Sequence, residues 1–195
     1  MFLTHFHHDH IQGFPFNHGL FSGGQQISVS SALHDKKTTS AILTRCFSDH
    51  FFPVNIFASL NHLLVESFEV ATDGLKKDVD VSFIELDHPG GAVGYSFVKD
   101  NKKVVILLDN EFQESQLDEL LEFCKGGDLL IWDGMFTEDE LLNKKGWGHS
   151  SIEQAVKFTE LSDVKKTVIC HHAPYRSDAD IDLLKSRISS VLSAA

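Results

Sequence analysis

The chain has 195 residues (21.8 kDa), 42% of them hydrophobic and 23% charged, which is enough for one globular domain with a core and too little for two full ones. With 28 Asp and Glu against 17 Lys and Arg the formal net charge is −11, so an extended polyanion such as duplex DNA, or an anionic membrane, would meet a repulsive surface. No apolar run approaches the roughly 18 residues of a membrane span, and the opening MFLTHFHHDH has neither a basic start nor a small-residue cleavage site; a cytoplasmic chain is the expectation.

In chain order, MFLT predicts a short strand, 26–30 a second strand and 35–45 a helix. The aromatic, irregular stretch 46–62 (CFSDHFFPVNIFASLNH) reads either as a surface loop over a cleft or as a core-filling connection. Runs rich in Val, Ile and Phe and bounded by turn residues predict strands over 80–86, 93–98, 103–108, 128–132 and 166–171. Helical periodicity places Leu117, Leu120, Leu121 and Cys124 on one stripe of 114–124, and Ile152, Ala155, Val156 and Phe158 on one stripe of 151–161. A further stripe over 179–193 carries Ile181, Leu184, Ile188, Val191 and Leu192, and a short helix is predicted over 137–143. Ser115 and Ser150, each followed three residues later by an acid (Asp118, Glu153), are the expected N-caps. Helices alternating with strands toward the end of the chain predict an α/β fold.

The three cysteines, Cys46, Cys124 and Cys170, are odd in number and contain no CxxC pair, which points away from a disulfide framework or a thiolate zinc site. Histidine is the unusual residue, with 12 in the chain and four in the first ten positions. In Thr4-His5-Phe6-His7-His8-Asp9-His10, strand alternation would turn His5 and His7 to one side. A helix starting directly afterwards would bring Asp9 and His10 to the same point. Imidazole and carboxylate together suit a borderline cation such as zinc. His8 has the opposite parity and is expected to point away. Further ligand candidates stand at predicted strand ends: His88 before Pro89-Gly90-Gly91, Asp109 after KVVILL, and the pair His171-His172 after TVIC.

The pattern HxHxDH followed in order by His88, Asp109 and His171 resembles the metallo-β-lactamase superfamily of metal-dependent hydrolases. It is most similar to the phosphodiesterase branch, which includes ribonuclease Z and the cyclic phosphodiesterases. THFHHDHIQGFPF, LDHPGGAVGYSF, LLDNE, GWGHSS and CHHAP resemble that branch's blocks in the expected order, from Thr4 to about Asp180.

The resemblance implies an αββα sandwich forming one domain over 1–195, and two divalent metal ions, zinc first, with manganese or iron as alternatives. By the same resemblance His5, His7 and His88 would hold one metal and Asp9, His10 and His171 the other, with His172 as the alternative last ligand. Asp109 would bridge them. A hydroxide bridging the two ions is the implied nucleophile. His149, in the loop GWGHSS before a predicted helix, matches a histidine that in the branch gives a proton to the leaving oxygen or contacts phosphate; its bland reading is a loop residue near an N-cap. Asp133 is expected either to orient a metal-binding histidine or to cap a turn.

The implied activity is hydrolysis of a small phosphodiester, a cyclic nucleotide or cyclic sugar phosphate. The acidic balance and lack of a basic arm argue against a nucleic acid the size of tRNA. Thioester and lactone hydrolases of the superfamily share the ligand set and form the alternative. Family domains carry several strands before HxHxDH, whereas Met1 lies three residues before Thr4. That shortage predicts an uncovered sheet edge, which a second copy of the chain would cover in a homo-oligomer. It also defines a competing class, a truncated metal-binding or interaction module without catalysis.

Overall fold

The computed structural model describes residues 1–192 and divides into two compact units, Met1–Asp80 and the residues from Val81 onward. The first holds a parallel sheet in the order β1-β2-β3, formed by β1 (Phe2–Leu3), β2 (Ile27–Ser31) and β3 (Leu63–Val65). Phe2 pairs with Ser30, and Ile27 with Leu63. Between β1 and β2 lie two single-turn helices, α1 (His8–Ile11) and α2 (His18–Phe21). Helix α3 (Lys36–Cys46) starts at Asp35, whose carboxylate accepts the Thr38 N–H at 2.7 Å. That bond supplies one of the partners a helix N-terminus lacks, and it draws the Asp35 carboxyl below its ordinary pKa. The unit closes with α4 (Ile56–Ser59) and α5 (Phe68–Asp73).

Leu3, Ile11, Phe14, Leu20, Val29, Leu43, Phe47, Ile56 and Leu63 form this unit's core. The 46–62 stretch takes on both roles open to it in the sequence. Phe47 and Ile56 are buried, and Phe14 stacks between Phe47 and Phe57 at 5.7 and 5.4 Å, while Phe51 is exposed at the rim of a cavity.

The second unit contains a five-stranded sheet, β4 (Asp80–Leu86), β5 (Ala92–Lys99), β6 (Lys102–Leu107), β7 (Leu129–Asp133) and β8 (Thr167–Cys170), in that spatial order. Strand β5 is antiparallel to β6, as a two-residue connection requires, and β6, β7 and β8 run parallel. Helix α6 (Leu117–Cys124) makes the crossover from β6 to β7, and α8 (Ile152–Leu161) the one from β7 to β8. The short α7 (Glu138–Leu141) lies between β7 and α8, and α9 (Asp178–Leu192) follows β8. The expected stripes are the buried faces: Leu120 and Cys124 of α6 and Ala155 and Phe158 of α8 join Leu107, Leu130 and Trp132 in one core. On α9, Leu184 is buried and Ile181 and Ile188 are half-buried. The side chains of Val191 and Leu192, and residue 193, fall outside the described residues. Burial pushes the Cys124 thiol up to about 12, so it stays neutral and acts as a small apolar residue.

Both expected N-caps are displaced. Gln113 and Gln116 form the reciprocal box before α6, in a 3-10 turn over Glu114–Gln116 that puts Ser115 inside the turn. Before α8 the cap is Ser151, paired with Gln154, while Ser150 is buried and its hydroxyl donates to the Asn110 carbonyl at 2.5 Å. A cap must accept a helix N–H, and the Ser150 oxygen instead accepts that of Phe112 at 3.3 Å.

Candidate active site

In the second unit the C-terminal ends of the parallel strands set the site, the usual place for chemistry in such sheets. Just past β6 comes Asp109, β7 ends on Asp133, and just past β8 comes His171. Asp109 and His171 have φ of 57° and 56°. This left-handed conformation costs a non-glycine residue about 1 kcal/mol or more and turns the chain sharply at the end of each strand. Both side chains are thereby brought to one place, with His171 Nε2 3.5 Å from Asp109 Oδ1. His88, two residues beyond β4, sits on the other side of the same carboxylate, its Nε2 3.7 Å from Asp109 Oδ2. His172, the alternative last ligand, joins no such cluster among the described residues, and its Nδ1 is buried without a hydrogen-bond partner.

The ring of His88 is oriented by backbone. Its Nδ1 lies 2.7 Å from the Gly148 carbonyl oxygen, and an oxygen there can only accept. The proton is therefore on Nδ1 and the lone pair on Nε2, the tautomer a metal ligand needs. Gly148 has φ +81°, and a Cβ on it would stand 2.2 Å from His88 Nδ1 and 2.3 Å from Pro89 Cδ. Only glycine fits this close approach.

His149 takes a comparable partner. Its Nδ1 is 2.9 Å from Asp133 Oδ2, and its ring stacks on His171 with centroids 5.2 Å apart and meets His88 edge-on at 5.3 Å. Asp133 is fully buried and well supplied with donors: besides His149 it accepts the N–H groups of Met135 at 3.0 Å and of Asn110 and Ser150 at 3.3 Å. It closes the turn after β7, and the histidine it holds is His149 and not one of the expected metal ligands. A residue not singled out in the sequence, Glu111, holds the loop from beneath. Its carboxylate accepts the Gly146 and Gly148 N–H groups at 2.8–2.9 Å. The signal was its place in LLDNE, directly after Asp109-Asn110.

In the first unit the histidine run is reached differently from the expectation. Strand β1 ends at Leu3, so His5 and His7 lie in an extended connection and not on a strand. The two rings nonetheless meet edge-on at 4.6 Å. Helix α1 begins at His8, directly after the run. It brings the His10 ring to 4.3 Å from that of His5 and places His10 Nε2 3.4 Å from Asp9 Oδ2. His5 is buried, whereas His7 and His8 are both exposed, so burial does not follow the alternation expected along the run.

These donor sets fit a divalent cation. In the second unit, His88 Nε2 and His171 Nε2 lie 3.7 and 3.5 Å from the two oxygens of Asp109, so two imidazole nitrogens and a carboxylate converge. Imidazole nitrogen with carboxylate oxygen is the ligand chemistry of zinc, manganese and iron. Strand-end His and Asp residues on an α/β framework, with buried carboxylates and backbone carbonyls setting the tautomers, define the class: a metal-dependent hydrolase.

The comparisons with known proteins agree. The model of the Beta-lactamase superfamily domain matches residues 1–172, and the chain belongs to that superfamily. The ribonuclease Z of Prochlorococcus marinus (strain MIT 9312) is 27% identical over 239 residues, covering 95% of this chain and 75% of that one. Among solved structures, the metallo-β-lactamase fold protein YhfI of Bacillus subtilis superposes with a TM-score of 0.68 at 18% identity, over 97% of this chain and 69% of that one. The short form of human tRNase Z superposes with a TM-score of 0.61 at 20% identity, over 88% and 71%. The fold is the α/β metallo-β-lactamase fold, and the chain is a hydrolase of that superfamily. Among the described residues no helix is long and apolar enough to cross a membrane.

Proposed function

We propose that the protein is a phosphodiesterase that hydrolyses a small cyclic phosphodiester, a cyclic nucleotide or a cyclic sugar phosphate. The observation that carries this reading is the His149–Asp133 pair at 2.9 Å, placed beside His88 and His171. Hydrolysing a phosphodiester expels an alkoxide or aryloxide, which needs a proton, and an imidazole is the side chain whose ordinary pKa suits that transfer near neutrality. Asp133 accepts the Nδ1 proton, so Nε2 is the atom that delivers the proton to the leaving oxygen. The carboxylate also stabilises the imidazolium from which that proton leaves.

The metal-ligand roles follow the family pattern: His5, His7 and His88 for one ion, Asp9, His10 and His171 for the other, with Asp109 between them. Bound divalent metal, zinc in the first instance, supplies a water acidic enough to ionise near neutral pH and polarises the phosphoryl oxygen. Asp9 has a catalytic as well as a binding role in this scheme. The chain's own contribution is to keep His88 in its ligating tautomer, to hold His149 on Asp133, and to fix GWGHSS through Glu111.

The test is a substrate panel with zinc- or manganese-loaded protein. Turnover of bis(p-nitrophenyl) phosphate and of a 2′,3′- or 3′,5′-cyclic nucleotide supports the proposal. Hydrolysis of lactones or thioesters with both phosphodiesters untouched overturns it in favour of the other superfamily chemistry. The names of the ribonuclease Z and tRNase Z relatives favour a second reading, an RNA phosphodiester. Against it stands the net charge of −11. Cleavage of a precursor tRNA in preference to the cyclic substrates would establish that second reading.

A further inference from the structure

The first unit contains a cavity of about 520 Å³ that the metal-ligand scheme leaves unused. Its walls include Pro15, Phe16, Phe47, Phe51 and Phe52, with Arg45, His8 and Gln12 among the polar lining residues. The volume is that of a small-molecule site, about 300–1,000 Å³. Two of its rings are held out in solvent, Phe16 at 80% and Phe51 at 72% exposure. Phe52 is half-buried and meets Phe16 edge-on at 6.2 Å and Phe47 at 6.5 Å, so the rings form a connected aromatic wall. Exposing that much aromatic surface is unfavourable unless something stacks on it.

The polar groups point to the character of the occupant. Neither the guanidinium of Arg45 nor the imidazole of His8 forms a hydrogen bond or ion pair with any described residue, although the chain carries a net charge of −11. An unpaired Arg on an aromatic wall is suited to a planar heteroaromatic ring, by stacking or by donating to its ring-nitrogen and carbonyl acceptors. His8 lies on α1 between His7 and Asp9, so the cavity opens beside the histidine run of the same unit.

We infer that this cavity is the base-binding subsite of the substrate: a planar heteroaromatic ring stacks against Phe16, Phe51 and Phe52, and Arg45 and His8 engage its hydrogen-bonding groups. This deepens the phosphodiesterase proposal and rests on it, since it selects nucleoside phosphates over base-free sugar phosphates. A free cyclic nucleotide and the terminal nucleotide of an RNA share this chemistry.

The experiment compares adenosine 2′,3′-cyclic phosphate with glycerol 1,2-cyclic phosphate as substrates for the metal-loaded wild type and for Phe51→Ala, Phe16→Ala and Arg45→Gln. All three side chains are exposed, or in the case of Arg45 without a described partner, so the core is untouched. The preference in kcat/KM for the nucleoside substrate should fall about tenfold in each phenylalanine variant, the scale of one lost base–aromatic stack. An unchanged preference in both overturns the inference. Binding of adenosine 5′-monophosphate, followed by saturation-transfer NMR on protein treated with a chelator, separates this inference from the function it rests on. If no phosphodiester is hydrolysed, the phosphodiesterase reading fails. The cavity assignment then stands when Phe51→Ala weakens nucleotide binding about tenfold and falls when it does not. Tighter binding of a cytidylyl-adenosine dinucleotide than of the mononucleotide would identify an RNA end as the source of the base; the reverse identifies the free nucleotide.

Discussion

Replacing Gly148 by alanine tests how the loop GWGHSS holds the site, because Gly146 two residues earlier supplies an internal control. Both glycines have positive φ, +83° at Gly146 and +81° at Gly148, and both donate their N–H to Glu111. Around Gly146 nothing lies within 4 Å of an added Cβ, whereas at Gly148 the Cβ would meet His88 Nδ1 at 2.2 Å and Pro89 Cδ at 2.3 Å. Gly146→Ala therefore carries only the conformational penalty of an L-residue in that region, about 1–2 kcal/mol. Gly148→Ala carries the same penalty plus the displacement of His88. That displacement breaks a bond of about 1 kcal/mol to the Gly148 carbonyl and forces a packed ring and a proline to move, for a total of about 3–4 kcal/mol. For a chain of this length each kcal/mol lowers Tm by about 2–4 °C, so calorimetry should show a loss of about 5 °C for Gly146→Ala and about 10 °C for Gly148→Ala. Zinc affinity measured by competition with a chromophoric chelator should fall much more in Gly148→Ala, since His88 loses both position and tautomer. Equal Tm values and equal zinc affinities for the two variants would refute this account of the loop.

Further outcomes follow from other parts of the structure. Asp133→Asn replaces one acceptor oxygen by a donor in a fully buried site that serves three N–H groups and His149; urea unfolding should show a loss of about 2–3 kcal/mol, and an undiminished stability would contradict the hydrogen-bond assignment. Leu120→Ala, at a position 1% exposed in the second unit's core, should cost about 2–5 kcal/mol, while Leu142→Ala, 80% exposed, should stay within about 0.5 kcal/mol of wild type. At Glu140 partial burial raises the carboxyl pKa, but the Thr137 N–H and the ion pair with Arg176 outweigh it and hold the group below its ordinary value. A carboxyl depressed in the folded state adds stability above its unfolded pKa of about 4.3, and that stability is lost as pH falls through the lower folded value. Glu140→Gln should thus cost about 1 kcal/mol at pH 7 and progressively less below about pH 4; a difference independent of pH would refute the ion-pair contribution.

What the sequence revealed and what it hid have physical causes. Strands β4 to β8 and helices α6 and α8 were legible because each buries a continuous face and so leaves a period in the residues. Strand β3 and helix α5 are three and six residues long, too short to show one, and they went unassigned. The cap positions at 113–116 and 150–151 turned on a 3-10 turn that enclosed Ser115 and on the Phe112 N–H that occupies the Ser150 oxygen, both three-dimensional facts. His88, Asp109 and His171 were legible as chemistry at strand ends, whereas the expected strand under His5 and His7 stops at Leu3. Asp133 was visible only as two alternatives, because its partners lie up to 23 residues away. Glu111 looked like an ordinary acid following Asn110, and its role appears only once the glycine N–H groups converge on it.

The most direct test of the central claim is the dependence of hydrolysis on leaving group in metal-loaded wild type and His149→Ala. A histidine that protonates the leaving oxygen matters little for p-nitrophenoxide, which departs readily unprotonated, and greatly for the ribose oxygen of a 2′,3′-cyclic nucleotide. The account predicts a loss of about 10²–10⁴-fold in kcat for the cyclic nucleotide and a far smaller loss for bis(p-nitrophenyl) phosphate, with both activities removed by chelation. Equal losses on the two substrates, or phosphodiester turnover that survives chelation, would contradict it.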